Sequence, residues 1–496
     1  MVARDAWRVV RVASRATPHA TSNAQSATRN PQPVATRNRL DRLFPVTVES
    51  IKRHPGYYEA IYCSGARVLA SGAMFAGLAL ALGGGHFTIA TLAALPYAAR
   101  LMHLAMPELL RRYQAGGVAY VATWLERLGF LIAAAFGIVR PQGFTLAGFL
   151  AGFAIGVVGQ QLYDGSMASL HSEATTPDTY GRYTAIKSRW GSSAGLTLGI
   201  LASIALDATE HLGVPAHIAR SLAIAVGVGI HILIALPLAR MRSRARQIAV
   251  ACSPVAPSVP TPTTPQGALP PQRSWLVLPR TPEQWKLVRF ALAWGFALGF
   301  STRQGEAMAI TRLGVSVGMV MLLSAVAVGG GIIGAKSWGQ LGDRFGGKGL
   351  MSIAFAGLAL DPLWWLAALF VHPAFLFVGY LLYGISNSGW NITVSMTLVR
   401  TAGAGAERIR AFVVYSVAFG LAAGIAPMLS GALLDLTDAR YGPTAAYATL
   451  FVIAFALRLS AYPWLREVPA PQAERGGYVS AVVLRAVRWR VRRKAA

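Results

Sequence analysis

Acidic side chains are scarce in this 496-residue chain: Asp and Glu number 20 against 46 Lys and Arg, and charged residues of both signs make up only 13%. So little charge cannot cover an ordinary soluble surface, where charged residues supply about a quarter of the composition. Cysteine is almost absent. Cys63 falls in an apolar stretch and Cys252 in a polar one, which gives neither a disulfide framework nor a metal-ligand spacing, so no metal and no cofactor is expected. The sequence also lacks G-x-x-x-x-G-K-[ST], H-E-x-x-H and G-x-S-x-G. These absences argue against nucleotide-driven chemistry and against an intramembrane enzyme. The first 40 residues contain no apolar core of the kind a secretory signal needs. Their Arg- and Ser-rich composition resembles a mitochondrial transit segment, but the whole chain is Arg-rich and they are read as a basic cytoplasmic tail.

What fills the chain instead is apolar sequence, 54% of all residues. Runs of about 20 residues recur, the length a helix needs to cross a hydrocarbon core of roughly 30 Å. Spans are predicted near 62–82, 87–106, 118–138, 143–163, 190–208 and 217–239, then near 285–302, 315–338, 350–371, 374–397, 411–434 and 443–465. The expected architecture is an all-α membrane protein of twelve transmembrane helices in two six-helix halves. Its parts are a basic cytoplasmic N-terminal tail (1–61), an N-terminal bundle (62–239), a Pro-rich cytoplasmic linker (240–284), a C-terminal bundle (285–465) and a basic cytoplasmic tail (466–496). Proline cannot donate to a helix, so the stretch Pro254 to Pro271 reads as an extended linker.

The net charge of +26 would suggest nucleic acid in a soluble protein. Its placement says otherwise. Lys and Arg crowd the tails and alternate loops, while the opposite loops hold only Arg140, Arg303, Arg312 and Arg440. This is the positive-inside pattern, which places both termini in the cytoplasm, with the bacterial inner membrane as the expected location. The bilayer and a small solute are the expected partners, nucleic acid is not, and a monomer is the working expectation. The halves also correspond: loop 107–117 maps onto 339–349 at an offset of 232, and Arg182 onto Arg410 at 228.

The loop after the eighth span reads Gly339-Gln-Leu-Gly342-Asp343-Arg344-Phe-Gly346-Gly347-Lys348. It resembles the signature loop of the major facilitator superfamily, G-x-L-x-D-R-x-G-x-[KR], and lies where that family carries its C-terminal copy. The resemblance implies a twelve-span transporter in which Gly339, Asp343, Arg344, Gly346 and Lys348 gate rather than bind solute. The N-terminal counterpart departs from the pattern, with Glu108 and Arg111 or Arg112 as stand-ins for its acid and base. A second turn, Pro177-Asp178-Thr-Tyr-Gly181-Arg182, is similar to one seen in bacterial members and makes Arg182 a cytoplasmic clamp with Arg410 its mate. The function implied is secondary active transport of a small solute by alternating access, ion-coupled with the proton as candidate. The alternative is a relative that has lost transport and serves as an assembly factor or sensor.

Ionisable groups inside spans cost at least about 2.5 kcal/mol at the helix centre, so each asks for a partner or a wet cavity. Glu126 is read as a proton-exchanging group or as a structural ion pair with Arg100 or Arg67. Its neighbour Arg127 points about 100° away. Arg67, Arg100 and His103 either snorkel towards headgroups or face a cavity that takes an anionic solute. In the tenth span Tyr383, Asn387 and Trp390 or Asn391 share a face, lining a cavity or bonding between helices. Arg303 and Glu306 form an expected outer-mouth pair, Gln160, Gln161 and Asp164 end the fourth span, and His231 and Arg458 are taken as structural.

Overall fold

The computed structural model describes residues 55–70, 72–140, 144–173, 177–252, 279, 281–345, 347–401 and 406–468. Among them every regular element is helical. The N-terminal half comprises α1 (Pro55–Leu69), α2 (Gly72–Ala81), α3 (His86–Ala98), a 3-10 segment (Ala99–Leu104), α4 (Met106–Val139), α5 (Thr145–Glu173), α6 (Pro177–His211), α7 (Ala216–Ile232) and α8 (Ala235–Cys252). The C-terminal half comprises α9 (Pro282–Gly299), α10 (Gln304–Thr311), α11 (Val317–Phe345), α12 (Gly347–Ala359), α13 (Asp361–Phe370), α14 (Phe375–Thr401), α15 (Ala406–Tyr441), α16 (Pro443–Ser460) and α17 (Tyr462–Glu467). In lipid the backbone must bond within itself, and helices do so.

Nine helical stretches among the described residues are long and apolar enough to cross a membrane. Three further passes complete a pattern consistent with twelve, and each carries what lowers its hydropathy. The pass through α3 is broken by Pro96 and the 3-10 segment, that through α9 and α10 by a turn at 300–303, and α14 is rich in Ser, Asn and Tyr. The duplication reaches the backbone. Turns closed by Gly83 and Gly213 at positive φ are matched by Gly314 and Gly442 at offsets of 231 and 229, a conformation only glycine adopts without strain.

Several boundaries differ from expectation. Helix α1 begins at Pro55, inside the stretch assigned to the tail, and α8 runs to Cys252, well beyond 239. Hydropathy ends a span where charge begins, but a helix continues into water if its side chains are soluble. The expected loop 107–117 is also largely helical. The reversal is confined to Gln114, at φ 58° and ψ 155°, and the turn before it carries an i,i+4 pair of Arg112 with Glu108.

Small residues set the packing. A Cβ on Gly129 in α4 would fall on the Gly156 backbone in α5, and one on Gly384 in α14 would fall on the Ala327 carbonyl in α11. Close backbone approach of this kind substitutes for the missing hydrophobic drive between helices in lipid. Phe75, Phe130, Phe149 and Phe153 fill the N-terminal core, and Trp294, Phe355 and Trp390 the C-terminal one. The halves meet where α3 and the 3-10 segment pack on α15 and where α6 packs on α11.

Candidate functional site

Five passes of the N-terminal half converge on one buried polar network. Arg67 on α1 donates from Nη1 to Asp164 Oδ1 at 2.8 Å, and its Nε lies 3.4 Å from Glu126 Oε1 on α4. Tyr163, beside Asp164 on α5, lies under the Arg67 guanidinium and donates its hydroxyl to Glu59 Oε1 at 2.6 Å. Lys187 on α6 lies 3.1 Å from Glu59 Oε2 and 3.1 Å from His171 Nδ1. His231 Nε2 on α7 stands 3.9 Å from Glu126 Oε2, beyond hydrogen-bond reach. Arg127, diverging from Glu126, donates to the His231 carbonyl and lies over the Trp124 ring.

The burial is uneven. Glu126 is 1% and Glu59 2% exposed, whereas the Asp164 side chain is 44% exposed, so the network has one wet end. Three buried atoms at its centre, Arg67 Nη2, Glu126 Oε2 and His231 Nε2, have no hydrogen-bond partner among the described residues. A buried polar atom without a partner carries a full desolvation cost, so this centre has spare capacity for a proton, a water or a solute group.

Of the two ion-pair partners expected for Glu126, the geometry selects Arg67. Arg100 goes elsewhere. Proline cannot donate at Pro96, and the helix tightens afterwards into the 3-10 segment, whose three-residue repeat aligns Arg100 with His103. Both reach the other half. Arg100 lies over the rings of Tyr97 and of Phe419 on α15, at 5.5 Å and 4.9 Å from their centroids, while His103 Nδ1 lies 2.8 Å from Ser416 Oγ and its Nε2 3.3 Å from the Gln161 carbonyl.

In α14 the two alternatives for the end of the shared face separate: 390 lies about 20° and 391 about 80° around the helix from 383. Trp390 is buried against Trp294, Phe290 and Phe355, in one stripe with Val394 and Leu398. Tyr383 packs against that same cluster, whereas Asn387 and Asn391 turn progressively away from it. Tyr383 and Asn387 are half-buried, Asn391 is exposed, and neither asparagine makes a side-chain hydrogen bond among the described residues.

Arg458 bridges three passes, donating to the Leu358 carbonyl at 2.6 Å, Asp361 Oδ2 at 3.0 Å and Ser301 Oγ at 2.9 Å. Cross-half contacts also gather at the end marked by Gly83, Gly213, Gly314 and Gly442. Ser316 Oγ donates to Asp207 Oδ1 at 2.9 Å, His86 Nε2 lies 3.4 Å from Asp438 Oδ2, and the Arg303 guanidinium occupies the space a Cβ on Gly72 would need. Arg303 Nη1 also lies 3.3 Å from Glu306 Oε2.

At the opposite end, Gly339, Asp343 and Arg344 lie on the last turns of α11, and Lys348 Nζ donates to the Arg466 carbonyl at 2.8 Å. Arg410 is buried on α15. Gly346, and the side chains of Arg111, Arg182, Asp343 and Arg344, lie outside the described residues. Sequence reasoning missed Glu59, Tyr163, His171 and Lys187. The signal that could have found Glu59 is the scarcity of acids, since a carboxylate leading into an apolar run is rare in this chain.

This fold, with buried charge between passes, is that of a polytopic helical membrane protein. Residues 284–495 match the sequence model described as Major Facilitator Superfamily. The fold is similar to the nucleoside transporter NupG (13% identity, TM-score 0.57, 84% of this chain and 99% of that one). It is also similar to the inward-open xylose transporter XylE from E. coli (11%, 0.57, 82% and 97%) and to an inward-facing bacterial homologue of the iron transporter ferroportin (15%, 0.55, 84% and 99%). No curated protein matches the chain by sequence. That family match covers the C-terminal half of the chain, and the likeness to the solved structures is one of fold.

Proposed function

We propose that the chain is a secondary transporter that carries a small solute by alternating access, coupled to proton movement at Glu126. The observation that carries this reading is the state of that carboxylate. One oxygen faces Arg67, the other has no hydrogen bond among the described residues, and His231 stands 3.9 Å away. A proton placed on Glu126 would free Arg67 for Asp164 or a solute, so occupancy of the network would depend on proton occupancy. Contacts at the Gly83 end support a state closed on that side, and the wet end at Asp164 supports access from the other. The distribution of Lys and Arg supports cytoplasmic termini in a bacterial inner membrane. Gly339, Asp343, Arg344, Gly346 and Lys348 gate on that cytoplasmic side, with Glu108 and Arg112 as the N-terminal counterpart, Arg111 beside them, and Arg182 and Arg410 as clamps.

The test is solute-evoked proton entry into proteoliposomes, followed with an internal pH dye across a broad solute panel. The wild-type chain should acidify the lumen with at least one solute and Glu126→Gln with none. Equal acidification by the variant would refute coupling at Glu126.

A further inference from the structure

Within the N-terminal network charge is balanced: Arg67, Arg127 and Lys187 face Glu59, Glu126 and Asp164. Arg100 stands outside that balance. Its guanidinium lies against the Tyr97 and Phe419 rings, and no carboxylate or carbonyl meets it among the described residues. It lies 14 residues from both His86 and the Gln114 reversal, so about 20 Å of helix separates it from either end. Its side chain is directed across to α15, against Phe419, and not along the pass towards headgroups.

A cation that meets no carboxylate within a membrane pass is costly, and the fold spends structure on placing it. Pro96 ends the regular helix, the 3-10 turn aligns Arg100 with His103, and Gly420 on α15 leaves room for the Arg100 stem, since a Cβ there would stand 2.8 Å from Arg100 Cβ. The two rings lie against the guanidinium, and its N–H edge is left without an acceptor. A planar fork of that kind matches the two oxygens of a carboxylate or phosphate.

We infer that Arg100 is an oxyanion subsite at the interface of the halves, so that the solute bears a carboxylate or phosphate group. The inference rests on the transporter reading for the identity of the ligand as cargo. His103, held by Ser416 and the Gln161 carbonyl, flanks the subsite, and Tyr97 and Phe419 supply its apolar walls.

The test uses the purified full chain in neutral detergent at fixed ionic strength, with ligand-induced thermal stabilisation as readout. Benzoate and glycerol 3-phosphate are the anionic probes, with benzamide and glycerol as neutral counterparts. At least one anion should stabilise the wild type where its neutral counterpart does not, and Arg100→Gln should weaken that binding by about tenfold or more, the worth of a charge-assisted pair. Arg100→Lys keeps the charge without the fork and should fall between; it carries the test if the glutamine variant does not stay monodisperse. Absence of any anion effect, or equal binding by the variants, would overturn the inference. Stabilisation through Arg100 by phosphatidylglycerol but by no soluble anion would reassign the site to a lipid headgroup and overturn the cargo reading. Saturable uptake of neutral solutes alone, unchanged in Arg100→Gln, would refute the subsite and leave transport standing. Arg100-dependent anion binding without flux would do the reverse.

Discussion

Replacing Arg67 with glutamine should destabilise the N-terminal bundle through one neighbour, Glu126. The contact to Asp164 contributes little, because that carboxylate is 44% exposed and solvated pairs are worth about 0–1 kcal/mol. Glu126 is different, being 1% exposed with Arg67 the only cation within salt-bridge distance among the described residues, apart from His231 at 3.9 Å. Removing one member of a buried pair leaves an uncompensated charge and costs about 3–5 kcal/mol, and partial exposure of Arg67 brings the expectation down to about 2–4 kcal/mol. Glu126→Gln in the same chain removes the stranded charge. The double variant should therefore recover part of the loss, with a coupling energy of about 1–3 kcal/mol. Equilibrium unfolding in mixed micelles, followed by fluorescence of the tryptophans, measures all three variants. Losses that add to within about 0.5 kcal/mol would mean that Arg67 and Glu126 do not act as a pair.

Trp390→Ala should cost about 3–5 kcal/mol in the same assay, because the ring is buried against Trp294 and Phe355, while Asn391→Ala should move stability by less than about 0.5 kcal/mol. Gly129→Leu should abolish the monodisperse peak on size-exclusion chromatography, since even a Cβ meets the Gly156 backbone. Gly83→Ala, at φ 82° with nothing within 4 Å, should cost only the strain of the left-handed region, about 1 kcal/mol. A short bis-maleimide bridge between Asp207→Cys and Ser316→Cys, on a Cys63→Ser, Cys252→Ser background, should stop transport by holding the halves together; full activity of the bridged protein would refute rocking at that end.

The passes were legible because apolar runs of the right length and glycine-marked turns are local signals. Arg67, Arg100 and Glu126 stood out for the same reason, as ionisable groups in apolar stretches. Glu59 did not, because α1 starts at Pro55, ahead of where hydropathy rises, and a carboxylate there reads as tail. Trp390 was ambiguous because periodicity gives spacing around a helix but not which stripe faces the core. The one-residue reversal at Gln114 and the placing of Arg100 against Phe419, more than 300 positions away, depend on tertiary packing that no local pattern contains.

The central claim is that Glu126 couples solute movement to protons within an alternating-access cycle, and its most direct test is flux measured two ways in proteoliposomes. The wild-type chain should show both uptake driven by a proton gradient and exchange of labelled for unlabelled solute without a gradient. Glu126→Gln should keep exchange and lose gradient-driven uptake. A variant that loses both or keeps both would contradict the account.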